Sequence, residues 1–118
     1  MAKLNTSILV DVKEACGIVQ SYDVFDQQLI IDINAAFSTL HQLGFGPVEG
    51  FSIEGPKEEW DEIITSDRFN FIKSYIIMKV HLMFDPPVSS IAVEQMNKQI
   101  AEYEWRITSE VECYGEED

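Results

Sequence analysis

The chain has 118 residues, a length typical of one domain that can bury its own core. Hydrophobic residues make up 46% and charged residues 25%, which excludes a wholly disordered chain. With 21 acidic against 8 basic residues, the formal net charge of −13 argues against a protein that wraps nucleic acid or binds an anionic membrane surface.

The first part of the chain predicts two helices. Ser7 can cap a short helix over 8–15, which Gly17 ends. Asp23 can cap a longer helix that runs to Leu43. The apolar positions of the longer helix recur at the helical period and are Phe25, Leu29, Ile33, Phe37 and Leu40.

The helical pattern breaks over 45–56, where three glycines and two prolines stand in twelve residues. Phe51 and Ile53 alternate with polar neighbours, which predicts an extended or hairpin-like loop near 45–55. Two interpretations of the apolar residues remain open. Phe45, Phe51 and Ile53 either tuck beneath the loop or form a contact between subunits.

The second half predicts a short acidic helix over 57–65, followed by a helix that Asp67 caps and that runs over 68–84. This later helix is apolar on almost all sides, which indicates a central helix contacted from several directions. Asp85-Pro86-Pro87 ends it, because a residue before proline avoids the right-handed helical region.

The last predicted helix starts at Ser89 or Ser90 and runs to about residue 107. Its apolar positions are spaced by three and four residues, typical of a seam along one partner helix, and are Val93, Met96, Ile100, Tyr103 and Ile107. Trp105 lies off this seam, so it either covers the end of the bundle or faces another subunit. The sequence thus predicts a mainly α fold, a small bundle of four to five helices over 1–108, with an acidic tail over 109–118.

No segment carries a residue set for catalysis, a cofactor or a metal, so we expect a protein that is not an enzyme. His41 and His81 stand on different predicted helices, and we expect neither to be a metal ligand. Cys16 and Cys113 form no Cys-x-x-Cys pair, and Cys16 is expected in the core. The apolar run over 69–84 is too short and too charged for a membrane span, and no signal peptide is visible.

Five stretches taken together form a further pattern. They are 33–44, 45–53, Trp60 before Arg68, the run over 72–87 that ends in Asp85-Pro86-Pro87, and 98–106. In order and spacing they resemble the head–tail connector (adaptor) proteins of long-tailed bacteriophages, over about residues 7–107. The resemblance implies a helical subunit that forms a ring, commonly a dodecamer, beneath the portal protein of the virion.

In that family the ring extends the DNA channel and docks the next neck or tail-completion protein. The resemblance places the protein in the virion neck, and in the host cytoplasm during assembly. It also implies that the C-terminal region engages the portal and that DNA passes through the channel without specific binding. An acidic bore suits such passage, because like charges repel.

A ring of identical subunits needs two different complementary surfaces on each subunit. The candidates for the subunit or portal interface come from the loop, the last helix and the tail, and are Phe45, Phe51, Ile53, Trp105, Arg106 and Tyr114. The net charge of −13 keeps an alternative open, namely an acidic DNA mimic that inhibits a host nucleic-acid-binding protein.

Overall fold

The computed structural model describes residues 6–114, and of these the side chains up to Glu112. Four helices make up most of this part of the chain: α1 (Ile8–Ala15), α2 (Asp26–Gln42), α3 (Ile72–Phe84) and α4 (Ser90–Tyr114). Two single turns of 3-10 helix, Trp60–Glu62 and Asp67–Phe69, lie between α2 and α3, and no strand occurs within 6–114. The predicted small helical bundle is confirmed.

The first helix, α1, has the bounds and the cap that its sequence predicts. The Ser7 hydroxyl accepts a hydrogen bond from the Val10 N–H at 3.2 Å. Gly17, with a φ of 79°, supplies the left-handed conformation that follows the helix.

One buried lysine ties α1 to the start of α2. Lys13 is 2% exposed, and its ammonium lies 2.9 Å from the Asp26 carboxylate. The same ammonium donates to the Gln20 carbonyl at 2.8 Å. A buried charge is tolerated where its hydrogen bonds are made, so this lysine fixes the path of the connection between the two helices.

The second helix, α2, begins two residues later than predicted, and Asp23 is not its cap. Phe25 occupies the N-cap position without a side-chain hydrogen bond. The Phe25 ring instead packs edge-on against Phe84, with the ring centroids 5.4 Å apart. The start of α2 therefore packs against the end of α3 and has no capping side chain.

The predicted helix over 57–65 is wrong, because the segment holds only the single turn Trp60–Glu62. The first N–H of that turn donates to the Thr6 carbonyl at 3.2 Å, and the Glu58 carbonyl accepts from the Ile8 N–H at 3.0 Å. This pairing with residues 6–8 accompanies an extended backbone at Glu59, with φ −119° and ψ 160°, and no longer helix runs through 57–65.

The third helix, α3, begins at Ile72 rather than near residue 68, and Asp67 does not cap it. Asp67–Phe69 is a separate 3-10 turn, where the Ser66 hydroxyl accepts from the Arg68 N–H at 3.3 Å. From Ile72 onward α3 contacts α1, α2 and α4, which confirms the predicted central helix. Its buried residues are Ile72, Tyr75, Ile76 and Val80.

The last helix, α4, runs to Tyr114 and so includes the first six residues of the predicted tail. The predicted seam packs on the core through Ile100 and Ile107, which are buried. Val111 continues that seam one turn further, which explains why the helix outlasts the prediction. Residues 115–118 lie outside the described residues, and the boundary at 108 stays a prediction.

Candidate assembly surfaces

The loop over 45–55 is attached to α2 by one side-chain amide. Asn34 Nδ2 donates to the Ile53 carbonyl at 3.0 Å, and Asn34 Oδ1 accepts from the Ile53 N–H at 2.8 Å. Together the two bonds satisfy the backbone of one residue as a neighbouring strand would. The side chain of Ile53 is buried in the core beneath.

The two loop phenylalanines also contact rings of the same chain. Phe45 is buried, with its ring centroid 4.8 Å from that of Phe69. Phe51 is half-buried and lies edge-on to Phe37 at 5.1 Å. Phe45, Phe51 and Ile53 therefore tuck beneath the loop in the single chain, and their predicted role in a contact between subunits stays a prediction.

Trp105 lies on the side of α4 that faces away from α3 and is 69% exposed. Its neighbour Arg106 is also exposed, and its guanidinium lies over the Phe71 ring at 4.7 Å from the centroid. The side chain of Tyr114 lies outside the described residues. Of the predicted interface residues, Trp105 thus offers a large apolar side chain to a partner.

A continuous stripe along α4 surrounds Trp105, and we call it the α4 face. Its members recur every three or four residues and are Ile91, Gln95, Lys98, Glu102, Trp105, Ser109 and Glu112. Ile91, near the start of the helix, is as exposed as Trp105. The face therefore carries one large apolar side chain toward each end and polar residues between them.

A second exposed stripe lies on α2, opposite its buried residues, and we call it the α2 face. Its members are Gln28, Ile31, Ala35, Ser38 and Gln42, all of them exposed. Ile31 is 58% exposed. No member is charged, and the neighbouring Asp32 accepts a hydrogen bond from the Gln28 amide at 3.1 Å.

Sequence reasoning missed the α2 face, although a signal for it is present. In a chain with 21 acidic residues, an exposed helical stripe without charge is unusual. The stripe repeats at intervals of three and four residues, like the buried stripe of the same helix. The connection before α2 also has exposed apolar residues: Val19, Tyr22, Val24 and Phe25.

Much of the positive charge is used within the chain. Among residues 6–112, four basic side chains form ion pairs: Lys13 with Asp26 at 2.9 Å, Lys73 with Asp11 at 3.1 Å, Lys79 with Glu104 at 3.1 Å, and Arg68 with Glu110 at 3.9 Å. The excess acidic residues make the electrostatic potential around the protein negative. The protein therefore repels phosphate groups rather than binding them.

The carboxylate of Asp11 joins three segments of the chain. It accepts hydrogen bonds from Thr6 Oγ1 and from Trp60 Nε1, the latter at 2.8 Å, and pairs with Lys73. Burial alone raises the pKa of this carboxyl, but the hydrogen bonds from Thr6 and Trp60 and the nearby Lys73 ammonium lower it below its ordinary value. The arrangement links these three segments and stabilises the fold.

Two further polar side chains form hydrogen bonds within the chain. Burial, reinforced by Glu104, raises the pKa of the Tyr75 phenol, which donates to that carboxylate at 2.8 Å. His41 Nε2 donates to the Val48 carbonyl at 2.8 Å. Within residues 6–114 no group of three or more His, Cys, Asp or Glu side chains is arranged to hold a metal ion. None of the helices described is long and apolar enough to cross a membrane.

Comparison with known proteins identifies a family that this chain matches. A family model described as "Phage connector protein" matches residues 8–113. No curated protein and no solved structure matches the chain. The matched range starts at the first residue of α1 and ends one residue before the end of α4.

Proposed function

The chain belongs to the phage connector protein family, and we propose that it is a head–tail connector (adaptor) in the neck of a long-tailed bacteriophage virion. The observation that carries the proposal is the family match, which takes in nearly all of the four-helix fold. The family is one of structural virion proteins, and the polar clusters described above have structural partners.

In this proposal copies of the chain form a ring, a dodecamer, below the portal protein. The ring extends the DNA channel, and its other side docks the next neck or tail-completion protein. Two separate exposed faces, one on α2 and one on α4, support the idea that each subunit has more than one partner.

The electrostatics of the chain support a role beside DNA without specific binding. The net charge is −13, and four of the basic side chains are engaged in ion pairs within the chain. A surface of this kind neutralises few phosphates, so DNA can move past it without adhering. The same charge is the sole support for the alternative of a DNA mimic.

Deletion of the gene tests the proposal. We expect a phage that lacks the chain to make filled heads that lose DNA or fail to join tails, and complementation with the full chain to restore infectious particles. Normal infectious particles without the chain would overturn the proposal. Recovery of the chain with a basic host protein, competed by DNA and weakened by salt, would favour the DNA mimic instead.

A further inference from the structure

We infer that the α2 face of one copy packs on the α4 face of the next copy, with Trp105 as the anchor of the contact. This inference rests on the proposed function and specifies the two surfaces that join neighbouring subunits. The partner is therefore a second copy of this chain, bound through a different surface from the one it offers in turn.

The two faces lie on different sides of the molecule because α3 stands between the helices that carry them. The Tyr75 hydroxyl donates to Glu104 of α4, and Phe84 packs on Phe25 at the start of α2. Both α2 and α4 pack extensively on α3 and at most marginally on each other. Their outward faces can thus be occupied at the same time, as a head-to-tail assembly requires.

The two faces also match in spacing. Members of the α2 face are separated by three and four residues in alternation, and so are those of the α4 face. Exposed stripes with this spacing can lie along each other as two helices of a bundle do, because side chains of one then enter the gaps of the other.

The side chains on the two faces are complementary in size. On the α2 face, Ala35 and Ser38 are small and exposed, and in the inferred contact they form the depression that receives a large side chain. Trp105 supplies a large side chain for such a depression, and tryptophan is enriched among the residues that dominate binding energy. Ile31 and Ile91 provide the remaining exposed apolar area of the two faces.

Two symmetric alternatives are less favourable than this pairing. Charge disfavours a contact between two α4 faces, and symmetry disfavours a contact between two α2 faces. Two α4 faces in contact would each bring two acids, Glu102 and Glu112, against one base, Lys98, whereas the α2 face has no charged member. Two α2 faces in contact would use the same surface on both copies, and such a contact closes a dimer and cannot continue around a ring.

The small size of the contact explains how free copies of the chain can remain monomeric. With 17 residues, α2 is about 26 Å long, so a single pair of helices buries less than the roughly 800 Å² per partner of a standard interface. Each contact is therefore weak alone. Closure of a ring on a ring-shaped partner makes many such contacts act together.

Cysteine cross-linking of assembled protein tests the pairing. In a full-length chain with Cys16→Ala and Cys113→Ser, Ala35→Cys on the α2 face is combined with Glu102→Cys on the α4 face, one turn before Trp105. The variants are mixed with the portal protein of the same phage, rings are counted by electron microscopy, and a short bismaleimide is added. The matched controls are the two single-cysteine chains, and circular dichroism checks that each variant is folded.

We expect rings in all three samples and a ladder of dimers, trimers and larger species from the double variant alone. Rings without a ladder, or dimers from either single variant, would overturn the pairing and leave the proposed function standing. If the wild-type chain forms no ring when it is mixed with the portal protein, both the pairing and the ring are wrong.

Discussion

Gly44 and Val111 meet where α4 passes over the end of α2. A Cβ atom at Gly44 would lie 3.0 Å from Val111 Cγ1, closer than side chains normally approach, and Gly44 has a φ of 96°. A larger residue at position 44 is therefore disfavoured for two independent reasons, the backbone conformation and the close contact with Val111. The contact holds the last turns of α4 against the body of the protein.

Gly44→Ala is expected to lower the free energy of unfolding by about 1–3 kcal/mol through backbone strain, and by more where Val111 cannot move. Urea denaturation followed by circular dichroism measures the change in the free energy of unfolding. Gly17→Ala is the matched control, because Gly17 also has a positive φ but nothing within 4 Å of its added Cβ. Equal losses in the two variants would show that the Val111 contact adds nothing.

The amide of Asn34 is expected to hold the loop over 45–55 in place. Asn34→Ala leaves the N–H and carbonyl of Ile53 without their partner, which costs about 1–3 kcal/mol of folding free energy. Hydrogen exchange at the Ile53 amide should speed up more than exchange at the core of α3. Asn97→Ala, on an exposed position of α4, is the control and should change neither quantity.

The Asp11 carboxylate should make stability depend on pH. Because folding lowers its pKa, its contribution is fully present above the ordinary value of 3.8 and is lost as the pH falls through the pKa of the folded state. The difference in unfolding free energy between wild type and Asp11→Asn should therefore be large at pH 6 and shrink toward pH 3. Asp23→Asn, on the exposed connection before α2, serves as the comparison. A difference that stays constant over this range would contradict the assignment.

Trp105→Ala should separate assembly from folding. An exposed side chain adds little to the fold, so the free energy of unfolding should change by less than about 0.5 kcal/mol. Loss of an anchor side chain should weaken assembly on the portal by at least about tenfold, measured by sedimentation of the complex. Val48→Ala, an exposed loop residue outside both faces, should leave assembly unchanged. Unchanged assembly of the Trp105 variant would remove this residue from the contact.

Local periodicity was enough to predict the elements whose packing follows from their own sequence. The cap at Ser7, the central position of α3 and the seam of α4 through Ile100 and Ile107 are all present in the structure. In each case a hydrogen bond within a few residues, or a repeat of apolar positions, carries the information.

Contacts between distant residues decided the features that the sequence could not predict. Asp23 is a good cap by type, but Phe25, which packs on Phe84, occupies the N-cap position of α2. The segment over 57–65 pairs with the start of the chain instead of forming a helix. No pattern in the neighbouring sequence predicts these partners.

The same distinction applies to the candidate interface. The position of Trp105 off the α4 seam follows from helical spacing, and the structure leaves the side chain exposed. The burial of Ile53 depends on Asn34, nineteen residues earlier, which no local pattern reveals. The α2 face was missed because its signal is an absence of charge rather than a motif.

Electron cryomicroscopy of the virion neck tests the central claim most directly. We predict a ring between the portal and the tail whose subunits fit the four-helix fold described here, with α2 of each copy against α4 of the next. A neck in which no density fits this fold, in particles that contain the gene and join their tails normally, would contradict the claim.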